Sequence, residues 1–166
     1  MYLPELLRPN LVAVDVEVDN WQNAIRAAGT LLINDHAVEQ RFTDAMIEMA
    51  IEFGPYFVIA PGIALPHARP EDGVLKSSIA VIKLRKPVNF GNVDNDPVFL
   101  VIALAAKDKT EHINGLSELA NILGEEAKLD RIKACKVKET LLSIFWNESR
   151  PAGIDSLHQP KENSIE

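Results

Sequence analysis

From Leu11 to Val18 (LVAVDVEV) apolar and polar residues alternate, the two-residue period of a strand with one covered face. The period then lengthens. Trp21, Ala24, Ile25, Ala28, Leu31 and Leu32 recur at steps of three and four, which predicts a helix capped by Asp19 with Gln22 as its reciprocal partner. A second helix is predicted to begin near Asp35 and to bury Val38, Phe42, Ala45, Met46, Met49 and Phe53, with Gly54-Pro55 as its stop. Three short apolar runs, Tyr56–Ala60, Ser77–Leu84 and Val98–Ala105, read as strands, and the last is apolar throughout, as in a strand covered on both faces. The RKPVNFGNVDNDP segment between the second and third runs carries loop chemistry. Beyond it, Asp108 and Glu111 form a capping-box pattern ahead of Ile113, Leu116, Ala120 and Leu123, with Gly124 as terminator. Two short helices are predicted over Glu125–Ala134 and Lys136–Asn147, the second turning Val137, Leu141, Ile144 and Phe145 inward. The interleaving implies an α/β (α+β) fold, a mixed central sheet flanked by helices on both sides, in one domain over residues 1–148. The proline-bearing polar segment 149–166 is expected to be a flexible tail.

Composition narrows the classes of function. A net charge of −7 argues against nucleic acid as a partner, because phosphate backbones select clustered Lys and Arg. It suits a basic protein partner. The one cysteine, Cys135, lies between Lys133 and Lys136, flanks that could lower a thiol pKa; the plainer expectation is a half-buried helix residue. One cysteine allows no internal disulfide. MYLPELLRPN lacks a basic stretch followed by an apolar core, and no apolar run approaches the ~20 residues of a membrane span. A cytoplasmic protein is expected.

Of the four histidines, His158 falls in the expected tail and His36 in the first turn predicted for the second helix, both read as solvated. His67 is more constrained. Pro66 stiffens the approach and drives Leu65 toward extended geometry, Ala68 leaves room beside the ring, and Pro70 with Glu71-Asp72-Gly73 closes the segment in turn chemistry. The imidazole is thus displayed on a rigid mount at a strand end, where α/β proteins place their sites, although a loop histidine bonded to a carbonyl fits the same residues. His112 shares a helix face with Leu116, Leu119 and Leu123 and occupies the first turn, where the helix dipole disfavours an imidazolium and welcomes an anion. A buried-edge histidine satisfied by a carbonyl is the alternative there.

GIALPH, Gly62 to His67, resembles the active-site motif of the EIIA domains of the mannitol/fructose class (EIIA type 2) of the sugar phosphotransferase system. PVFLVIALAAKDKTEHINGLSELANIL is similar to the strand, loop and helix that carry that family's second active-site histidine. The likeness spans roughly Asp19 to Asn147, and GPYFVIAPGIALPHARPEDGV looks most like the ascorbate-type branch. The resemblance implies a phosphocarrier without cofactor or metal. His67 would accept phosphate from HPr and pass it to a cysteine of a cognate EIIB, working with a membrane EIIC permease. His112 would bind the phosphoryl oxygens. Mannitol-type members carry an arginine on the helix before the motif, where this chain has Met49; Arg69 is a candidate phosphate contact in its place.

The residue types suit such chemistry. Phosphoryl transfer asks the protein chiefly for position and hydrogen bonds. The attacking ring nitrogen must be unprotonated, so its ring partner must donate to an acceptor. Neither G-x-x-x-x-G-K-[ST] nor G-x-G-x-x-G occurs, which separates the chain from nucleotide-binding kinases. An EIIA-like regulatory protein controlled by phosphorylation of His67 is equally compatible with these residues. A metal-dependent hydrolase using His67, His112 and Glu71 or Asp72 lacks H-E-x-x-H spacing, and a serine hydrolase lacks G-x-S-x-G. A binding module without chemistry would take up no phosphate at all.

Overall fold

The structure is a computed structural model and describes residues 3–148. The predicted tail and His158 lie outside the described residues. Five strands form one mixed sheet in the order β1-β4-β5-β3-β2, where β1 is Val12–Val16, β2 Val58–Ala60, β3 Ile63–Ala64, β4 Ser78–Val88 and β5 Val98–Ala105. β1 runs parallel to β4 and β3 parallel to β5, while β4–β5 and β2–β3 are antiparallel. Residues 78–82 of β4 and 100–105 of β5 are buried one after another. Successive strand residues point to opposite faces, so both faces of the central strands are covered.

Two helical groups do the covering. α2 (Trp21–Asn34) packs on α3 (Arg41–Phe53) and lies against β4 and β5. The short α1 (Leu3–Leu6), α4 (Lys109–Leu123), α5 (Glu126–Ala134) and α6 (Lys138–Glu148) form the second group, touching β1, β4 and β5. Among the described residues no helix is long and apolar enough to cross a membrane.

The caps and faces refine the sequence reading. Asn20, not Asp19, caps α2, its side chain accepting from Asn23 N–H at 2.8 Å. α3 starts six residues later than predicted: Val38 instead pairs with Val74 in an isolated β-bridge, and His36 sits exposed in the intervening turn. β4 continues through Arg85–Val88 because Val88 still pairs with Val98, so part of the predicted loop is strand. On α4 the Asp108 cap forms as predicted, accepting from Glu111 N–H at 2.9 Å. Ile113 and Ala120, however, face outward, and Gly115, Leu119 and Ile122 are the buried residues. Gly115 turns this face inward, since a Cβ there would come within 3.1 Å of Leu104. Val137 likewise points out, whereas Leu141, Ile144 and Phe145 are buried as predicted. Phe53 ends α3 exposed rather than buried. Cys135 follows α5, and burial pushes its thiol up despite the Lys83 charge nearby, so the flanking lysines do not activate it.

The N-terminal segment, which pattern alone leaves unassigned, is fastened to the sheet. Leu3, Leu6, Leu7 and Leu11 are buried in the core. Arg8 donates to Asp35 from Nε at 3.0 Å and Nη2 at 2.7 Å and also bonds Ser78 Oγ, while Asn10 donates to the other Asp35 oxygen at 2.7 Å. Burial opposes the charge on Asp35, but the Asn10 and Arg8 hydrogen bonds and the Arg8 and Lys76 charges hold its carboxyl below the usual carboxylate value. A depressed folded value contributes stability that is present above the unfolded value and lost as pH falls through the folded one. Asp35→Asn should therefore cost about 2 kcal/mol at neutral pH, and this deficit should shrink as pH drops below about 4. Urea midpoints across that range check it; a pH-independent deficit would contradict it.

Gly62 leads into β3 with φ +79, and a Cβ there would lie 2.6 Å from the Phe99 ring. Left-handed strain and overpacking together should make Gly62→Ala about 2–4 kcal/mol less stable, read as a lower urea midpoint.

Candidate functional site

β2 and β3 make a tight hairpin: Val58 pairs with Ala64, and Leu65 N–H donates to the Phe57 carbonyl at 2.8 Å. Continued one step, that register sets Tyr56 opposite Pro66 and beside His67. On the other side Pro66 O accepts from Leu104 N–H at 3.1 Å, and His67 forms a parallel bridge with Leu104 near the end of β5. The chain leaves β5 there, and the first turn of α4 brings His112 back toward the same spot. Both histidines thus gather at the carboxyl ends of the parallel β3–β5 pair, where such sheets open their crevices. Their ring centroids are 5.4 Å apart, tilted by 60°.

The hydrogen bonds of His67 determine its proton arrangement. Nδ1 lies 3.0 Å from the Leu65 carbonyl oxygen. A carbonyl only accepts, so Nδ1 carries the hydrogen and donates it. In the neutral ring Nε2 is then the nitrogen with the lone pair. The Tyr56 hydroxyl lies 3.2 Å from Nε2 and donates to it. The Pro66 constraint read from sequence acts here, since a stiff Leu65-Pro66 link holds the Leu65 carbonyl in reach of the ring two residues on.

His112 is half-buried. Burial first, and the charge of His67 second, push its imidazole down from the usual histidine value, so it is a neutral hydrogen-bonding group at neutral pH. A cleft of about 200 Å³ opens between the two rings, lined also by Met49, Ala68, Arg69, Pro70, Asp108 and Lys109. Arg69 is at this cleft but already engaged: Nε and Nη2 donate to Asp72 at 3.2 Å each, and Asp72 also accepts from Arg69 N–H at 2.9 Å. That pair raises the guanidinium and lowers the Asp72 carboxyl. Lys109, exposed and also lining the cleft, has no ion pair among the described residues. Met49 forms an apolar part of the wall on α3.

Structure therefore brings together His67, His112 and Arg69 and adds two residues that pattern reading passed over, Tyr56 and Lys109. The signal for Tyr56 was present, an aromatic in a predicted strand just ahead of the motif, but periodicity alone reads it as a strand residue. His36 lies in the turn after α2 and is not among the residues that line this cleft. Among the described residues no group of three or more His, Cys, Asp or Glu could hold a metal ion.

Comparison with known proteins gives the arrangement a context. Residues 5–148 match the family described as "Phosphoenolpyruvate-dependent sugar phosphotransferase system, EIIA 2". The chain is 39% identical over 141 residues to the ascorbate-specific PTS system EIIA component of Salmonella typhimurium, covering 84% of this chain and 92% of that one. Among solved structures it resembles the mannitol-specific cryptic phosphotransferase enzyme IIA CmtB of Escherichia coli, with TM-score 0.81 and 31% identity over 89% of this chain and 99% of that chain. It also resembles a chain of the Escherichia coli complex of enzyme IIAMTL and phosphorylated enzyme IIBMTL, with TM-score 0.74, 26% identity, and 84% and 98% coverage. A match across nearly every described residue, joined to a histidine crevice of this shape, is enough to conclude that the chain belongs to the EIIA type 2 family of the phosphoenolpyruvate-dependent sugar phosphotransferase system.

Proposed function

We propose that His67 is the residue on which this phosphoryl carrier is loaded, through Nε2, and that the sugar system it serves is the ascorbate one. As an EIIA, the chain accepts phosphate from HPr and passes it to EIIB. The single observation that carries the assignment to His67 is the Nδ1–H bond to the Leu65 carbonyl, which leaves Nε2 as a lone pair at the mouth of the cleft. The ascorbate reading is supported by the name and identity of the Salmonella relative. The step belongs in the cytoplasm, a reducing compartment in which an acceptor thiol on EIIB stays free.

The chemistry follows from the geometry. The Nε2 lone pair attacks phosphorus in line, and the bond from phosphorus to the donor nitrogen breaks with its electron pair staying on HPr. Nδ1 keeps its proton and goes on donating it to the Leu65 carbonyl, so the ring is held in orientation throughout. His112, neutral and in the first turn of α4, donates one N–H to a phosphoryl oxygen, with the helix dipole favouring the incoming anion. The product is a phosphoramidate, which is readily attacked at phosphorus by the EIIB thiolate. Arg69 is the proposed cation at the cleft: its Asp72 pair engages Nε and Nη2, leaving Nη1 for an oxygen of the phosphoryl group. Arg69→Ala should slow loading from HPr by roughly tenfold, the loss of one charge-assisted hydrogen bond. Unchanged loading would remove Arg69 from the site.

The test of the whole reading is reconstitution. Incubated with phosphoenolpyruvate, enzyme I and HPr, the chain should gain the mass of one phosphoryl group on the peptide that contains His67. It should lose that mass to a cysteine when the cognate EIIB is added. No gain in mass, or a phosphoryl group on a different peptide, would overturn it.

A further inference from the structure

We propose that Tyr56 is a second phosphoryl-binding group: its hydroxyl covers the Nε2 lone pair in the unloaded carrier and donates to a phosphoryl oxygen in the loaded one. This rests on His67 as the loaded residue. The hydroxyl sits 3.2 Å from Nε2, on the side from which phosphorus must approach to covalent distance. A nitrogen bonded to phosphorus has no lone pair left to accept a hydrogen bond. Loading therefore ends the Tyr56–Nε2 bond, and the nearest new acceptors for the hydroxyl are the oxygens that have just arrived.

The surroundings permit that exchange. Tyr56 lies in the turn between α3 and β2, close to half exposed, with its ring edge-on to Phe53, Phe57 and His67 at centroid distances of 6.3, 5.8 and 5.8 Å. Edge-on contacts hold the ring without locking the hydroxyl in one place. Burial pushes the phenol up from its usual value, so it keeps its proton and remains a donor beside a dianion. Met49 offers no donor from α3, and Tyr56 is the group already hydrogen-bonded to Nε2 itself.

The exchange changes no bonds at tyrosine. Phosphorus bonds to Nε2 as its bond to the HPr nitrogen breaks, and Tyr56 keeps its proton before and after. What changes is the acceptor, from a neutral nitrogen to an anionic oxygen, and hydrogen bonds to charged groups are the stronger kind. Tyr56 consequently favours the loaded state over the empty one.

Tyr56→Phe keeps the ring packing and removes only the hydroxyl. With wild type and variant each equilibrated against phospho-HPr, the variant's loading equilibrium should fall by roughly fivefold, the difference between a charged and a neutral acceptor. The 31P resonance of the phosphohistidine should also differ between the two proteins. In wild type, with no substitution, the Tyr56 ring resonances should shift on loading as the hydroxyl changes partner. If wild type fails to load at His67, the underlying assignment is at fault. If wild type loads normally while the variant shows the same equilibrium and the same 31P shift, Tyr56 only orients the empty ring and the proposal fails. Tyr56 resonances that stay fixed on loading would overturn it equally.

Discussion

His67→Gln should abolish phosphoryl uptake from HPr, with initial loading reduced on the order of 10⁴-fold or more, while the protein stays folded. Glutamine sets an amide near the position of Nε2, but it has no lone pair of comparable basicity to offer phosphorus. No other group at the cleft substitutes for it. The Tyr56 phenol is held in its protonated form, Asp108 is committed to the helix cap, and His112 sits at the dipole's positive end of α4, where it serves as a donor. The fold should survive because the ring is only half-buried and the backbone of the segment is fixed independently, through Pro66 O to Leu104 N–H and Leu65 N–H to Phe57 O. Quenched-flow loading from phospho-HPr, with a urea midpoint measured alongside, separates the two effects. Residual loading within tenfold of wild type, on a folded protein, would mean that phosphate is carried elsewhere.

Next in size is His112→Ala, expected to slow both loading and onward transfer by about 10²-fold, the usual cost of removing one donor aimed at developing negative charge. Burial and then the His67 charge lower the His112 imidazole, so at neutral pH it acts as a directed N–H rather than as a counter-ion. A donor without charge should be partly replaceable, and His112→Asn or His112→Gln should recover some of the rate that alanine loses. His112→Ala should leave stability nearly unchanged, because the α4 core contacts are made by Gly115, Leu119 and Ile122 further along. If alanine and glutamine behave alike and both transfer at the wild-type rate, the ring is packing at the edge of the core and nothing more.

Much of this crevice was legible in the chain, for reasons particular to each residue. The ends of β5 coincide with the apolar run because both its faces are covered, leaving no alternation to misread. The Asp108 cap and the helix stop before Gly54 are local chemistry, satisfied within a few residues, and they stand where pattern puts them. The start of α3 does not, because Val38 trades its place on a helical stripe for a bridge to Val74, a partner far along the chain that no local period reveals. Arg85–Val88 reads as loop by composition and is held as strand by β5 across from it. Register explains the site as well. His67 and His112 each carry a local signature, whereas Tyr56 acquires its role only when the β2–β3 hairpin folds it across from Pro66. Arg69 was legible as a nearby cation, but its attachment to Asp72 depends on the turn that follows it.

The nitrogen that carries phosphorus can be read from one spectrum. The protein, labelled with 15N at histidine and loaded through phosphoenolpyruvate, enzyme I and HPr, should show one-bond 31P–15N coupling at a single nitrogen, Nε2 of residue 67. Its Nδ1 should remain protonated against the Leu65 carbonyl. Coupling at Nδ1 of that ring, at either nitrogen of His112, or at no histidine at all would contradict it.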